Sequence, residues 1–324
     1  MRSGIPHDIL REMANTETTL TGLGAALAGA EIHRAPYQLV SAWADQTLTL
    51  RLGGAGHTHG WIGAHLRRSF LGALGPGASC EARAGGACPW DPPCALDVFC
   101  REQLRGARGD GLPKPYVIAA WPEGDDLTVS LRVFGMAIDW AMVAFEALVS
   151  GIGTILPWAK IARDLTRPPP ILQRDISMFS GQSFDVSGAS TIPVTSAQLE
   201  FLSPMDATGT NVLEQPHSIL ARALRRVDGL SRWNGVTLDP EVGARLAQQT
   251  RRLRFDMSGV RSGQYSSANR HAQRRRDQTI KGKILFSGEF ADLWQLLQLA
   301  ERGHIGRHAV EGLGRIRLSP DPDA

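Results

Sequence analysis

The chain has 324 residues, of which 43% are hydrophobic and 21% charged. That length and apolar content exclude a wholly disordered chain and leave room for two domains of ordinary size. The net charge is only +3, but the 35 Lys+Arg are mostly arginine and they cluster, so the mean understates the local field. The planar arginine fork suits phosphate groups and stacks on bases. No run of about 18 consecutive apolar residues marks a transmembrane helix. The first residues lack an apolar signal region followed by a cleavage site, so the expected location is the cytoplasm, with reduced cysteines.

Residues 1–36 form an extension, rich in Ala, Leu and Thr between Ile5 and Ala30, that is expected to pack on the first domain. From Leu39 to Leu52, Leu48, Leu50 and Leu52 alternate with polar residues as a half-buried strand does. A glycine-rich stretch with His57 and His59 then leads into a helix over 61–74, with Ile62, Leu66, Phe70 and Leu74 inward and Arg67 and Arg68 elsewhere. A proline-broken loop over 75–100 carries Cys80, Cys88, Cys94 and Cys100. Extended segments follow at 113–120 and 127–134, then a helix over 138–150 and an expected closing strand at Trp158–Leu165. The order strand, helix, strand, strand, helix, strand is that of a ferredoxin-like unit over 37–166. Arg167-Pro-Pro-Pro170 begins an expected linker, 167–184.

Residues 185–318 repeat that order with one helix inserted. A strand at Gln198–Pro204 precedes helices over 218–233 and 239–252 and an extended piece at 253–260. The basic run Tyr265-Ser-Ser-Ala-Asn-Arg-His-Ala-Gln-Arg-Arg-Arg276 leads into a strand over 280–290, a leucine-faced helix over 291–303 and a loop containing Gly306, Gly312 and Gly314 that runs into a last strand. Glycine lets main chain approach closely, so a Gly-x-Gly loop among basic residues reads either as a phosphate cradle with outward N–H groups or as a tight turn needing positive φ. The chain is expected to be α+β, two tandem ferredoxin-like (βαββαβ, RRM-like) domains.

The run Tyr265-Ser-Ser-x-x-Arg270, the Gly282-x-(hydrophobic)-x-Phe286-x-Gly288 strand and the closing Gly306 to Arg315 loop resemble the C-terminal half of the CRISPR repeat-RNA-processing endoribonucleases of the RAMP superfamily. Phe201-Leu-Ser-Pro204, Leu224–Leu230 and Val133-Phe-Gly135 add local matches in the same order, so the resemblance spans roughly residues 37–318. Gly151-Ile-Gly153 departs from it, being a degenerate form of the first domain's glycine loop.

The resemblance implies metal-independent cleavage of a CRISPR repeat RNA, the pre-crRNA. The RNA's own 2′-hydroxyl attacks the adjoining phosphate, leaving 2′,3′-cyclic phosphate and 5′-hydroxyl ends. It implies no cofactor, a repeat stem-loop as partner, retention of the product, and further effector-complex subunits as partners. It places a catalytic histidine beside the first helix, which singles out His59 and then His57, with exposed histidines of no role as the alternative. Arg67 and Arg68 would either stabilise charge or hold RNA backbone. RNA binding is expected at Arg252, Arg261, Tyr265, Arg270, Arg274, Arg275, Arg276, Lys281 and Lys283, and on the loop at Gly306, Arg307, His308, Gly312, Gly314 and Arg315. The spacing C-x7-C-x5-C-x5-C lacks the tight pairs of structural zinc sites, so reduced cysteines are the default and zinc the minor alternative. Two rival classes remain: a non-catalytic RAMP subunit that holds guide RNA, and a small-molecule enzyme, for which no carboxylate cluster or phosphate-loop motif speaks.

Overall fold

The structure is a computed structural model and describes residues 22–57, 62–105, 111–155, 167–183, 194–209, 211–265 and 277–321. The extension enters as α1 (Gly22–Ala28), β1 (Glu31–His33) and α2 (Pro36–Ala42). α2 has proline in its first turn, where a missing N–H costs nothing. It takes up the stretch 39–42 expected to be strand, and β2 (Ala44–Leu52) begins after it. α3 (Gly63–Leu74) buries Leu66, Phe70 and Leu74 on one face, as their spacing predicts. The cysteine loop contains two short helices, α4 (Cys80–Arg83), capped by the Ser79 hydroxyl, and α5 (Ala95–Cys100).

β3 (Tyr116–Glu123) and β4 (Asp126–Phe134) form a hairpin, and α6 (Ala141–Thr154) follows. β5 (Ile171–Ser180) closes the first sheet by pairing antiparallel with β2, giving the order β3-β4-β2-β5. This corrects the expected boundary. The residues Ile171–Ser180 lie where a linker was expected, while the expected strand Trp158–Leu165 falls outside the described residues. The three prolines do not separate domains. They lead into an edge strand, where proline is tolerated. The helical stretch Gly135–Thr154 is long and apolar enough to cross a membrane, but Ala141, Ala144, Phe145, Ala147 and Leu148 are buried in the core against the first sheet.

The second half runs β6 (Ser196–Asp206), α7 (His217–Ser231), β7 (Val236–Leu238), α8 (Pro240–Thr250), β8 (Arg254–Asp256), β9 (Val260–Tyr265), β10 (Asp277–Ser287), α9 (Ala291–Gly303) and β11 (Ile316–Pro320). Its sheet has the order β11-β6-β10-β8, with β9 also on β10. Both sheets therefore put the first and third strands of their unit at the centre, the arrangement expected of two ferredoxin-like units.

The extension does not belong to the first half alone, as expected. β1 pairs in parallel with β7 of the second half, register Glu31 to Val236 through His33 to Leu238. The Trp43 indole, fully buried between α2 and β2, donates to Asp45 at 3.0 Å. One continuous apolar core runs through both halves.

Candidate nucleic-acid interface

The glycine-rich loop after α9 lies between the halves, and its sequence explains how. Gly314 has φ +67, and a side chain there would overlap the Ile305 carbonyl oxygen. Its N–H donates to Pro204 O at 2.8 Å, Gly312 N–H to Ala309 O at 2.9 Å, and Ile305 N–H to Gly314 O at 2.8 Å. These amides are used inside the protein, and Gly312 and Gly314 are buried. The expected cradle of outward N–H groups is thus corrected for this part of the loop. These glycines serve the tight turn, with Gly312 at φ +82. Gly306 and Arg307 instead line open space, as described below.

The buried side of the loop meets α3. The Arg67 guanidinium lies 3.6 Å from the Glu311 carboxylate and donates from Nε to the Tyr116 hydroxyl at 3.2 Å. Burial opposes the Arg67 charge, but Tyr116 and Glu311 more than offset it, so its pKa is raised. The same Glu311 faces His308 at 3.5 Å. Burial pushes the Tyr116 phenol up, against the pull of Arg67. Lys114 stands among the same groups. Burial pulls its ammonium below the ordinary lysine value, with Arg67 and Arg101 adding repulsion and Cys100 and Glu102 opposing. Arg67 was singled out from the sequence. Glu311 and Lys114 were not, because nothing in the sequence around either shows that it meets α3.

The other candidates spread out. His57 is exposed and faces Asp125 on the β3–β4 turn at 3.4 Å, at the opposite end of β3 from Tyr116. At about 3.3 Å per residue the two strand ends are roughly 20 Å apart. His59 lies outside the described residues. Arg68 is exposed beside His65, whose pKa is lowered by burial and then by Arg68. Arg315 lies over the Trp121 ring of the first half, 4.0 Å from its centroid, so this predicted RNA contact joins the two halves. Arg261 and Lys281 are exposed cross-strand neighbours on the β9–β10 hairpin. Lys283 is exposed on β10, and Arg252 is exposed just after α8. Tyr265 ends β9, and Arg270, Arg274, Arg275 and Arg276 fall outside the described residues.

The strongest positive feature is a cleft of about 780 Å³ between α7, the loop around Thr208 and the chain leading to β3. Arg105, Arg222, Arg225, Arg226, Arg232 and Arg307 line it, with Asp228 as the single acid among the described residues that do. Asp228 is already engaged, accepting from Thr237 and from Leu238 N–H at 3.0 and 2.9 Å. Four of these arginines share one side of α7 or its end. The spacing 222, 225, 226 and then 232 was visible in the sequence, but the helix was read for its apolar face.

The four cysteines do not gather. Cys88 and Cys94 are buried together, with Cys94 N–H donating to Cys88 Sγ at 3.3 Å, while Cys80 and Cys100 are exposed. Among the described residues no three metal-ligating side chains converge, so the zinc alternative finds no support there.

Residues 199–316 match the family model of the CRISPR-associated endoribonuclease Cas6. A Cas6 product complex is similar in fold at a TM-score of 0.55 and 15% identity, covering 85% of this chain and 99% of the other. The product complex of a second Cas6 protein gives a TM-score of 0.52 at 16% identity over the same shares. Its substrate-mimic complex gives 0.50 at 16% identity, again over 85% and 99%. A search of curated sequences finds no match. Residues 199–316 thus carry the sequence of the CRISPR-associated endoribonuclease Cas6 family, and 85% of the chain is similar in fold to solved Cas6 proteins.

Proposed function

We propose that the protein binds a CRISPR repeat RNA and cuts it without a metal ion, by attack of the RNA's 2′-hydroxyl on the adjoining phosphate. The nucleophile and the leaving group both belong to the RNA, so the protein supplies position, proton transfer and positive charge. The observation that carries the reading is the six-arginine cleft opening beside the glycine-rich loop, in a chain whose second half has the Cas6 sequence.

Arg67 is the charge-stabilising group. It is held by Tyr116 and Glu311, and a fixed guanidinium is worth most where water is excluded. Lys114, whose proton is loosened by burial, is the donor to the leaving 5′-oxygen. The base is a histidine on the approach to α3, His59 first and His57 second. His57 faces Asp125 roughly 20 Å from the Tyr116 that holds Arg67, so it shares a phosphate with Arg67 only if the approach to α3 moves, which puts it behind His59. The exposed Arg261, Lys281 and Lys283 of the β9–β10 hairpin and the neighbouring basic run hold the RNA backbone. The solved Cas6 product complexes fit retention of the cut RNA. Repeat RNA incubated with the protein in EDTA should yield one cut whose products end in 2′,3′-cyclic phosphate and 5′-hydroxyl. Tight binding with no cut favours the guide-holding subunit instead.

A further inference from the structure

The arginine cleft contains a donor with nothing to bind. Arg226 gives its Nε to Gly303 O at 2.8 Å, while its Nη2 has no solvent contact and no hydrogen-bond partner. The residue as a whole is half-buried, and Nη2 is among its buried atoms. A buried, unsatisfied donor on a charged group is costly, so such atoms call for an explanation. Burial also pulls the Arg226 pKa down to about 10 from its ordinary value, with Tyr116 acting the other way. An anion in the cleft would satisfy both the hydrogen bond and the charge.

The surroundings are built for one. Arg222 gives one nitrogen to the Asp206 main-chain carbonyl at 2.8 Å, which fixes its stem against the cleft wall. Arg225 is exposed at the mouth, with Arg232 and Arg307 around it. Gly209 and Gly306 line the cleft among the arginines, and nothing lies within 4 Å of where a Gly209 Cβ would stand, which leaves room for close approach there. A cleft of about 780 Å³ is too small to enclose an A-form stem, whose recognition runs across a wide shallow groove. A splayed, unpaired nucleotide fits a cleft of about 780 Å³.

We propose that the cleft clamps a single phosphodiester of an unpaired nucleotide of the repeat RNA, with Arg226 and Arg222 as the two forks. This rests on the RNA-processing reading above, and it assigns the unpaired part of the substrate to residues outside the Arg67 cluster.

Methylphosphonate scanning tests it. Repeat RNAs each carrying one neutral methylphosphonate linkage are titrated against the whole protein and against Arg226→Lys and Arg222→Gln. For the wild type, neutralising one linkage in the unpaired region should weaken binding about tenfold, a single charge-assisted pair. For either variant the same substitution should change affinity less than twofold. Arg222→Gln lies at the half-buried wall and keeps the test valid if the buried Arg226 variant does not fold. A wild-type penalty confined to paired positions overturns the proposal. So does a penalty at the unpaired linkage that both variants retain. Wild-type protein that binds no repeat RNA overturns the proposed function and the clamp with it, which separates that failure from the other two.

Discussion

Arg302, at the end of α9 in the second half, grips Asp45 of β2 in the first half with two hydrogen bonds of 2.5 and 2.7 Å. Asp45 is fully buried, and it also accepts from Trp43 and lies 3.5 Å from Arg132. The Arg302 guanidinium lies 3.7 Å from the Phe179 ring centroid, and its carbonyl accepts from Arg132 at 2.8 Å. One carboxylate therefore sets how the two sheets face each other. Removing one partner of a buried ion pair leaves an uncompensated charge and costs about 3–5 kcal/mol. Asp45→Ala should lower the urea midpoint by that order, and Asp45→Ala/Arg302→Ala should lose less than the sum of the single variants. Additive losses would mean that the two residues do not act as a pair.

Arg67→Ala should lower the cleavage rate about 100-fold or more, the effect of losing one fixed charge-stabilising donor, while repeat affinity changes less than tenfold. Glu311→Gln keeps the shape but loosens Arg67, so it should slow cleavage by a smaller factor without abolishing binding. Single-turnover cleavage and equilibrium binding on the same preparations separate these effects.

Gly314→Ala places a methyl group at φ +67 against the Ile305 carbonyl. Forcing a side chain into such a conformation costs about 1–3 kcal/mol, before the overlap itself is counted. Both the thermal midpoint and cleavage should fall. By contrast Gly153→Ala, at a glycine with open space around its Cβ position, should leave cleavage unchanged.

His304 is buried, and its pKa lies well below the ordinary value because of burial first and Arg132, Arg226 and Arg315 next. The folded protein therefore holds it neutral while the unfolded chain protonates it below about pH 6.5. The unfolded state binds the extra proton, so stability falls as pH drops from about 6.5 towards the folded pKa, with a limiting slope of about 1.4 kcal/mol per unit. Above pH 6.5 this group adds no pH dependence. His304→Asn takes up no proton and should flatten that acid limb in urea titrations at pH 7 and 5.5. An unchanged limb would assign the acid sensitivity elsewhere.

Cys80 and Cys100 are exposed while Cys88 and Cys94 are buried. Native protein should therefore give two fast-reacting thiols with a small alkylating reagent, and all four only after unfolding. Chelator should not shift the thermal midpoint. Protection of three or more thiols that a chelator removes would restore the metal reading.

Strand and helix order were legible where periodicity was strong. Leu48, Leu50 and Leu52 in β2 and Leu66 and Phe70 in α3 are all fully buried. Residues 171–190 read as an irregular strand region, but β5 was not assigned to close the first sheet, because almost all of its residues are exposed, so it carries no alternation of burial to read, and because three prolines precede it. The pairing of β1 with β7 joins residues some two hundred positions apart and leaves no local trace. At the site the same division holds. Arg67 and the loop glycines were visible as residue types in suggestive places. The grip of Glu311 on Arg67, the loosened proton of Lys114 and the convergence of six arginines depend on how the halves meet, which no local pattern encodes.

The central claim is that the RNA's own 2′-hydroxyl is the nucleophile. Its most direct test is to map the cut in a 5′-labelled repeat and then repeat the incubation, in EDTA, with an RNA carrying a single 2′-deoxy residue just before that position. The account predicts that cleavage disappears while affinity stays within twofold. Cleavage of the deoxy RNA at the same position, or cleavage of the unmodified repeat only with added divalent metal, would contradict it.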